Sequence, residues 1–284
     1  MQRWLAAAAA ACALAGCSAT RLAYDHADIA ARFMASDYFD LDSAQSEEMK
    51  ARIARLHQWH RANELPVYAA LMRSASERVA QGLTAEDVAW AIASVRSRYR
   101  RLAAKAAEDT APVLATLGPA QLARLEHRLA ESDEKYAKEF LPRDQKERER
   151  AQLKRAVERF RDFIGPLTSD QEARVDRFVK SQERHAVLRF EDRQHWQSGA
   201  IGLIRQHRDP HELGQRLAEL FTQPDSRRSE EFVREDRRWE EDVAQLIVDL
   251  DRTLTREQRA RAVKRMQGYA EDFTLLAARK SEAT

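Results

Sequence analysis

The block WHRANELPVY, residues 59–68, sets His60 and Glu64 four positions apart, on one face of a helix. An imidazole and a carboxylate so placed can share a metal ion or act as an acid–base couple. A metal site needs further ligands, and Glu191, Asp192 and His195 are the residues that could supply them from a second helix. The chain has neither an HExxH pair nor the paired Glu-x-x-His arrangement of di-iron bundles. No Ser/His/Asp, Cys/His or phosphate-loop pattern stands out either. The plainest reading is a packed cluster of Trp59, His60 and Tyr68 around a break at Pro66, with Glu64 paired to Arg61 or another arginine. Trp59, His60, Arg61, Glu64 and Tyr68 are therefore a candidate binding surface, with no catalytic residue, no metal and no cofactor assigned.

These residues must be carried by helices. Apolar residues recur at steps of three and four, as in Val88, Ile92, Val95, Tyr99 and Leu102, or Leu153, Val157, Phe160 and Ile164. No run alternates in the manner of a strand. Between the stripes stand five related segments: Leu41-Asp-Ser-Ala-Gln45, Leu83-Thr-Ala-Glu-Asp87, Leu117-Gly-Pro-Ala-Gln121, Leu167-Thr-Ser-Asp-Gln171 and Leu254-Thr-Arg-Glu-Gln258. Each pairs a capping residue with an acid or amide three positions on, the signature of a capping box at a helix start. Gly82 and Gly165 stand just upstream, where a preceding helix ends. Further corners are expected near Asp209-Pro210 and Pro224-Asp225, with Asp209 capping a helix through Leu213, Leu217 and Leu220. The expected fold is all-α: eight to ten antiparallel amphipathic helices, in one elongated bundle or two lobes divided near 141–151.

The N-terminus carries a different chemistry. Arg3 precedes an apolar, alanine-rich run from Trp4 to Leu14, too short to span a bilayer core of about 30 Å. Leu14-Ala15-Gly16-Cys17 resembles the lipobox of bacterial lipoproteins. The resemblance implies removal of residues 1–16, a diacylglycerol thioether and N-acyl lipid on Cys17, and a mature chain of 17–284. Several acyl chains, at about 0.8 kcal/mol per buried methylene, make a stable anchor. Cys12 leaves with the signal segment, so the mature fold rests on its core without a disulfide. Ser18, by resemblance to enteric lipoproteins, favours the outer membrane and its periplasmic face over retention at the inner one.

With 48 basic and 46 acidic residues the net charge is only +2, which argues against a dedicated polyanion binder; compartment argues against nucleic acid as well. The basic stretch VRSRYRRLAAK, residues 95–105, reads as a solvated helix face, with Val95, Tyr99 and Leu102 turned inward. Phosphate groups of lipopolysaccharide or phospholipid are the alternative partner for its arginines. The Leu-Thr-x-x-Gln corners look like those of Spy/CpxP-type periplasmic chaperones. RLAYDHAD (21–28), DYFDLDSAQ (37–45), WHRANELPVYAALM (59–72) and GPLTSDQ (165–171) resemble the DUF6279 family of bacterial lipoproteins, which implies the anchor and the helices and transfers no activity. The expected function is a non-enzymatic binding, scaffolding or chaperone-like factor, bound to the membrane through its lipid and to an envelope protein or cell-wall partner; oligomeric state stays open. Alternatives are an envelope enzyme or metal-dependent factor centred on His60 and Glu64, or a structural peptidoglycan-associated lipoprotein.

Overall fold

Local capping chemistry decides where each helix begins. In the computed structural model, which describes residues 19–141 and 144–279, four of the five expected capping boxes form in full, at Asp42/Gln45, Thr84/Asp87, Thr168/Gln171 and Thr255/Gln258. At Gly118, which has no side chain, only the Gln121 half forms, its Oε1 accepting from the Gly118 N–H at 3.0 Å. Asp209 caps its helix as expected, accepting from the Glu212 N–H at 2.8 Å. Gly82 and Gly165 end their helices at φ +97° and +87°, a region side chains resist. Cys17 and the segment before it lie outside the described residues.

Among the described residues the chain is all helix and turn, without a strand. A helical lead-in at 19–25 is followed by α1 (Ala27–Phe39), α2 (Ser43–Asn63), α3 (Leu65–Gln81), α4 (Ala85–Leu114), α5 (Pro119–Phe140) and α6 (Gln145–Ile164). Then come α7 (Ser169–Ser181), α8 (Glu183–Gln206), α9 (Pro210–Thr222), a 3-10 turn (Pro224–Ser226), α10 (Glu230–Asp251) and α11 (Arg256–Ala278). These eleven helices exceed the eight to ten expected. The chain breaks at Glu64, where Pro66 enters the first turn of α3, and again at Gln182, whose backbone sits at φ −100°, ψ 10°.

The corners are tied in pairs. Beyond capping its own helix, the Gln171 amide donates to Gln258 Oε1 at 2.9 Å and to the Thr253 carbonyl at 3.0 Å. Gln258 donates back to Gln171 Oε1 at 3.0 Å and to the Pro166 carbonyl at 2.7 Å. The same knot recurs at the other end of the chain's motif series. Gln121 donates to Gln45 Oε1 at 2.6 Å and to the Asp40 carbonyl at 3.0 Å, while Gln45 reaches Thr116 Oγ1 at 3.0 Å. One glutamine thus closes a helix start and welds it to a second one.

Between each pair of knotted corners the chain inserts extra helices, and these cross over. α3 finds its main partner in α11, and α9 finds its own in α4. Gly214 brings α9 close to α4: a Cβ there would stand 3.2 Å from Glu108 Cα and 3.3 Å from Ala111 Cβ. The halves on either side of 141–151 are therefore interlocked through exchanged helices. The largest core cluster lies at this crossing, around Ala111, Leu117, Leu122, Ile204, Leu213 and Leu217.

Candidate functional site: an arginine and aromatic cleft

The residues of the 59–68 block are joined through ring and ion contacts, several of them by way of neighbouring helices. His60 Nδ1 lies 2.9 Å from Tyr24 Oη, and the His60 ring meets Tyr68 edge-on at 5.4 Å. Tyr68 passes the contact to Phe273 of α11 at 5.8 Å. Arg61 pairs with Asp25 at 3.3 Å and covers the Tyr24 ring, so of the two pairings expected for Glu64 the one with another arginine holds. Glu64 is fully buried and takes its cations from α4: Arg101 Nε at 2.9 Å, in a geometry too bent for a hydrogen bond, and Arg98 at 3.8 Å. Arg101 also lies over the Trp59 ring at 5.5 Å. His60 and Glu64 thus spend their polar atoms on different partners. Asp192 and His195 line a separate pocket that includes neither of them. Among the described residues no three His, Cys, Asp or Glu side chains converge as a metal site.

Burial lowers the His60 pKa from 6.5 to about 4, with His57 beside it adding to the effect. The unfolded chain therefore takes up a proton near pH 6.5 that the folded chain refuses until about pH 4. Stability is expected to fall as the pH drops through that window and to level below it. Allowing for solvent around a half-buried ring, the loss is roughly 2 kcal/mol. Urea unfolding between pH 7 and 4 reads it, and His60→Gln should flatten the slope; an equal slope in that variant would place the effect elsewhere.

A concave feature lies farther along α4. Between the buried residues Val88 and Ala107 no position of this helix is buried. Val95 and Tyr99, expected to face inward, are 65% and 60% exposed. The stripe is present, but no neighbouring helix closes over the middle of a helix this long. The space left beside it is a cleft of about 550 Å³ between α4, α8, α9 and α10. Its aromatic lining includes Trp196 against Phe221 (5.1 Å) and Tyr99 against Phe221 (6.4 Å). Trp239, also in the lining, is stacked on the buried ring of His185 at 5.1 Å.

The arginines of 95–105 are likewise not a plain solvated face. Arg96 pairs with Glu240 across the cleft, and Arg98 and Arg101 serve Glu64. Arg193 is held by Asp133 at 2.7 Å and covers Tyr136. Arg228 is shared between Asp192 at 3.3 Å and Asp236 at 3.8 Å. Burial pushes the Asp192 carboxyl above the usual carboxylate range, against the pull of Arg228. Burial also works to raise Asp236, yet the His185 hydrogen bond and the charge of Arg228 hold it below that range. Arg100 and Arg189 also line the cleft, and among the described residues neither has an acidic partner. Two free guanidinium groups beside aromatic faces suit an anion that carries an apolar body.

A second groove, about 720 Å³ between α5 and α8, is lined by small and polar side chains such as Ala130, Ser198 and Gly202. Its charges are already matched, Arg205 with Glu126 and Asp133 with Arg193, so it offers less to a ligand. In sequence, the aromatic half of the cleft was hidden, because Trp196, Phe221 and Trp239 sit on three helices far apart in the chain. The basic run at 95–105 was its one visible part.

Comparison with known proteins gives one match: the model described as "Family of unknown function (DUF6279)" covers residues 37–234. That span contains α2 to α9 and most of the cleft wall, and stops within α10. No curated protein and no solved structure matches the chain.

Proposed function

This chain belongs to the DUF6279 family, a family of unknown function, and from that premise we propose that it is a lipid-anchored, non-enzymatic binding factor of the bacterial envelope. It is tethered through lipid on Cys17 at the periplasmic face of the outer membrane and works as a scaffold or chaperone-like protein. The observation that supports the reading is the cleft beside α4, where Arg100 and Arg189 stand without acidic partners among the described residues, next to an aromatic lining. Such a surface takes an anionic, partly apolar segment of an envelope partner.

The test is retention of that partner by the lipidated protein. Crosslinking from residue 99 in intact cells should capture an envelope component. Arg100→Glu with Arg189→Glu should weaken its retention by at least about tenfold, since each charge-assisted contact is worth on the order of 1.5 kcal/mol. Equal retention by the double variant, or capture of nothing from the envelope, would overturn the proposal. Mass spectrometry of the first peptide reads the acyl groups on Cys17 separately.

A further inference from the structure

The first helices are built inside out. From residue 21 to 37 each charged side chain is held by a partner. Arg21 lies 3.2 Å from Asp272, Asp25 pairs with Arg61 and Arg279, Asp28 with Arg32, and Asp37 with Arg128. The small residues Ala31 and Ala35 pack on the core around Met49 and Ile53. The large apolar residues point away: Leu22, Ile29, Phe33 and Met34 are 63%, 53%, 75% and 58% exposed. Apart from His26 and Ser36, every exposed position from 22 to 36 is apolar. A helix that only needed solubility would show the reverse arrangement.

We infer that this outward apolar face lies in the membrane surface, its side chains entering the boundary between headgroups and acyl chains of the bilayer that holds the anchor. The inference rests on the lipid-anchor reading, and position in the chain selects the bilayer over other apolar occupants. Ala19, the first described residue, is helical and lies two positions after Cys17 in sequence, so acyl chains on Cys17 bring Leu22 to the lipid at once. At about 1.5 Å per helical residue, α1 from Ala27 to Phe39 runs about 18 Å, the scale of an interfacial helix lying flat. The body would then be held by one face and not swing on its tether.

A nitroxide at residue 33 tests this in the full lipidated protein, reconstituted in phosphatidylethanolamine and phosphatidylglycerol vesicles. Phe33 is exposed, so Phe33→Cys leaves the fold intact, and the chain's own cysteines are Cys12 and Cys17. Oxygen should relax the label at 33 more strongly than a water-soluble nickel chelate does. Glu230→Cys, whose native side chain is 97% exposed, should show the opposite order. A label at 33 open to the chelate while the protein stays on the vesicles would overturn the inference and leave the anchor standing. So would spin–spin broadening between copies, which would assign the face to a second chain. An unmodified Cys17 in the mass spectrum would remove the anchor alone. Residue 33, labelled in a Cys17→Ser background, then decides the apolar face by the same two accessibilities: lipid contact in sedimented protein supports it, water contact overturns it.

Discussion

Asp251→Ala is expected to lower the unfolding free energy by about 3–5 kcal/mol, the largest single effect in the molecule. The carboxylate is buried at the end of α10, where it joins two corners of the fold. Its Oδ2 accepts from the Leu83 N–H at 3.0 Å, in the turn between α3 and α4. Arg259, at the start of α11, brings Nη1 to Oδ1 at 2.9 Å and Nη2 to Oδ2 at 3.1 Å. The same guanidinium holds the Val79 carbonyl at the end of α3. Alanine would strand the Leu83 N–H and leave Arg259 facing the interior without its anion. The Asp249–Arg252 pair nearby, at 3.6 Å with Arg252 71% exposed, is the contrast: Asp249→Ala should cost no more than about 1 kcal/mol. Chemical denaturation at pH 7 measures both, and a loss below about 1 kcal/mol at Asp251 would contradict the role given to it here.

Gln171→Leu should follow, at about 2–4 kcal/mol. Gln171 is fully buried, and its amide serves the Thr168 cap, the Thr253 carbonyl and Gln258 together. Leucine fills the volume and strands each of those partners. At the matching knot Gln45 is only half-buried, and water can replace its bonds, so Gln45→Leu should cost about 1 kcal/mol. The pair Gln171→Leu with Gln258→Leu should cost less than the sum of the single changes, because each single change leaves the other amide unpaired. Additive losses in that cycle would mean that the two glutamines act as separate caps.

The five knotted or capped corners were legible because a capping box is local: cap and reciprocating side chain lie three residues apart. Which corners would meet was not legible, since Gln171 and Gln258 are 87 positions apart and nothing in either segment names the other. The Trp59–Tyr68 block was read as one packed group, and within it the His60 and Tyr68 rings meet. Its acid was expected to pair with Arg61 or another arginine: Glu64 takes Arg98 and Arg101 of α4, while Arg61 goes to Asp25. Periodicity gives a helix an apolar stripe but does not say that a neighbour will cover it. Val95 and Tyr99 kept the spacing of a core and ended exposed, Tyr99 in the lining of the cleft.

The exchange of α3 and α9 has a consequence for biogenesis. A polypeptide made N-terminus first presents α3 well before α11 has emerged. Until then the α3 residues Leu65, Ala69 and Val79 lack their main covering helix, and α4 waits in the same way for α9. Neither half can reach its final packing by itself, so maturation is a single late event, and a chain stalled before its last helix remains sticky and open to proteases throughout the delay.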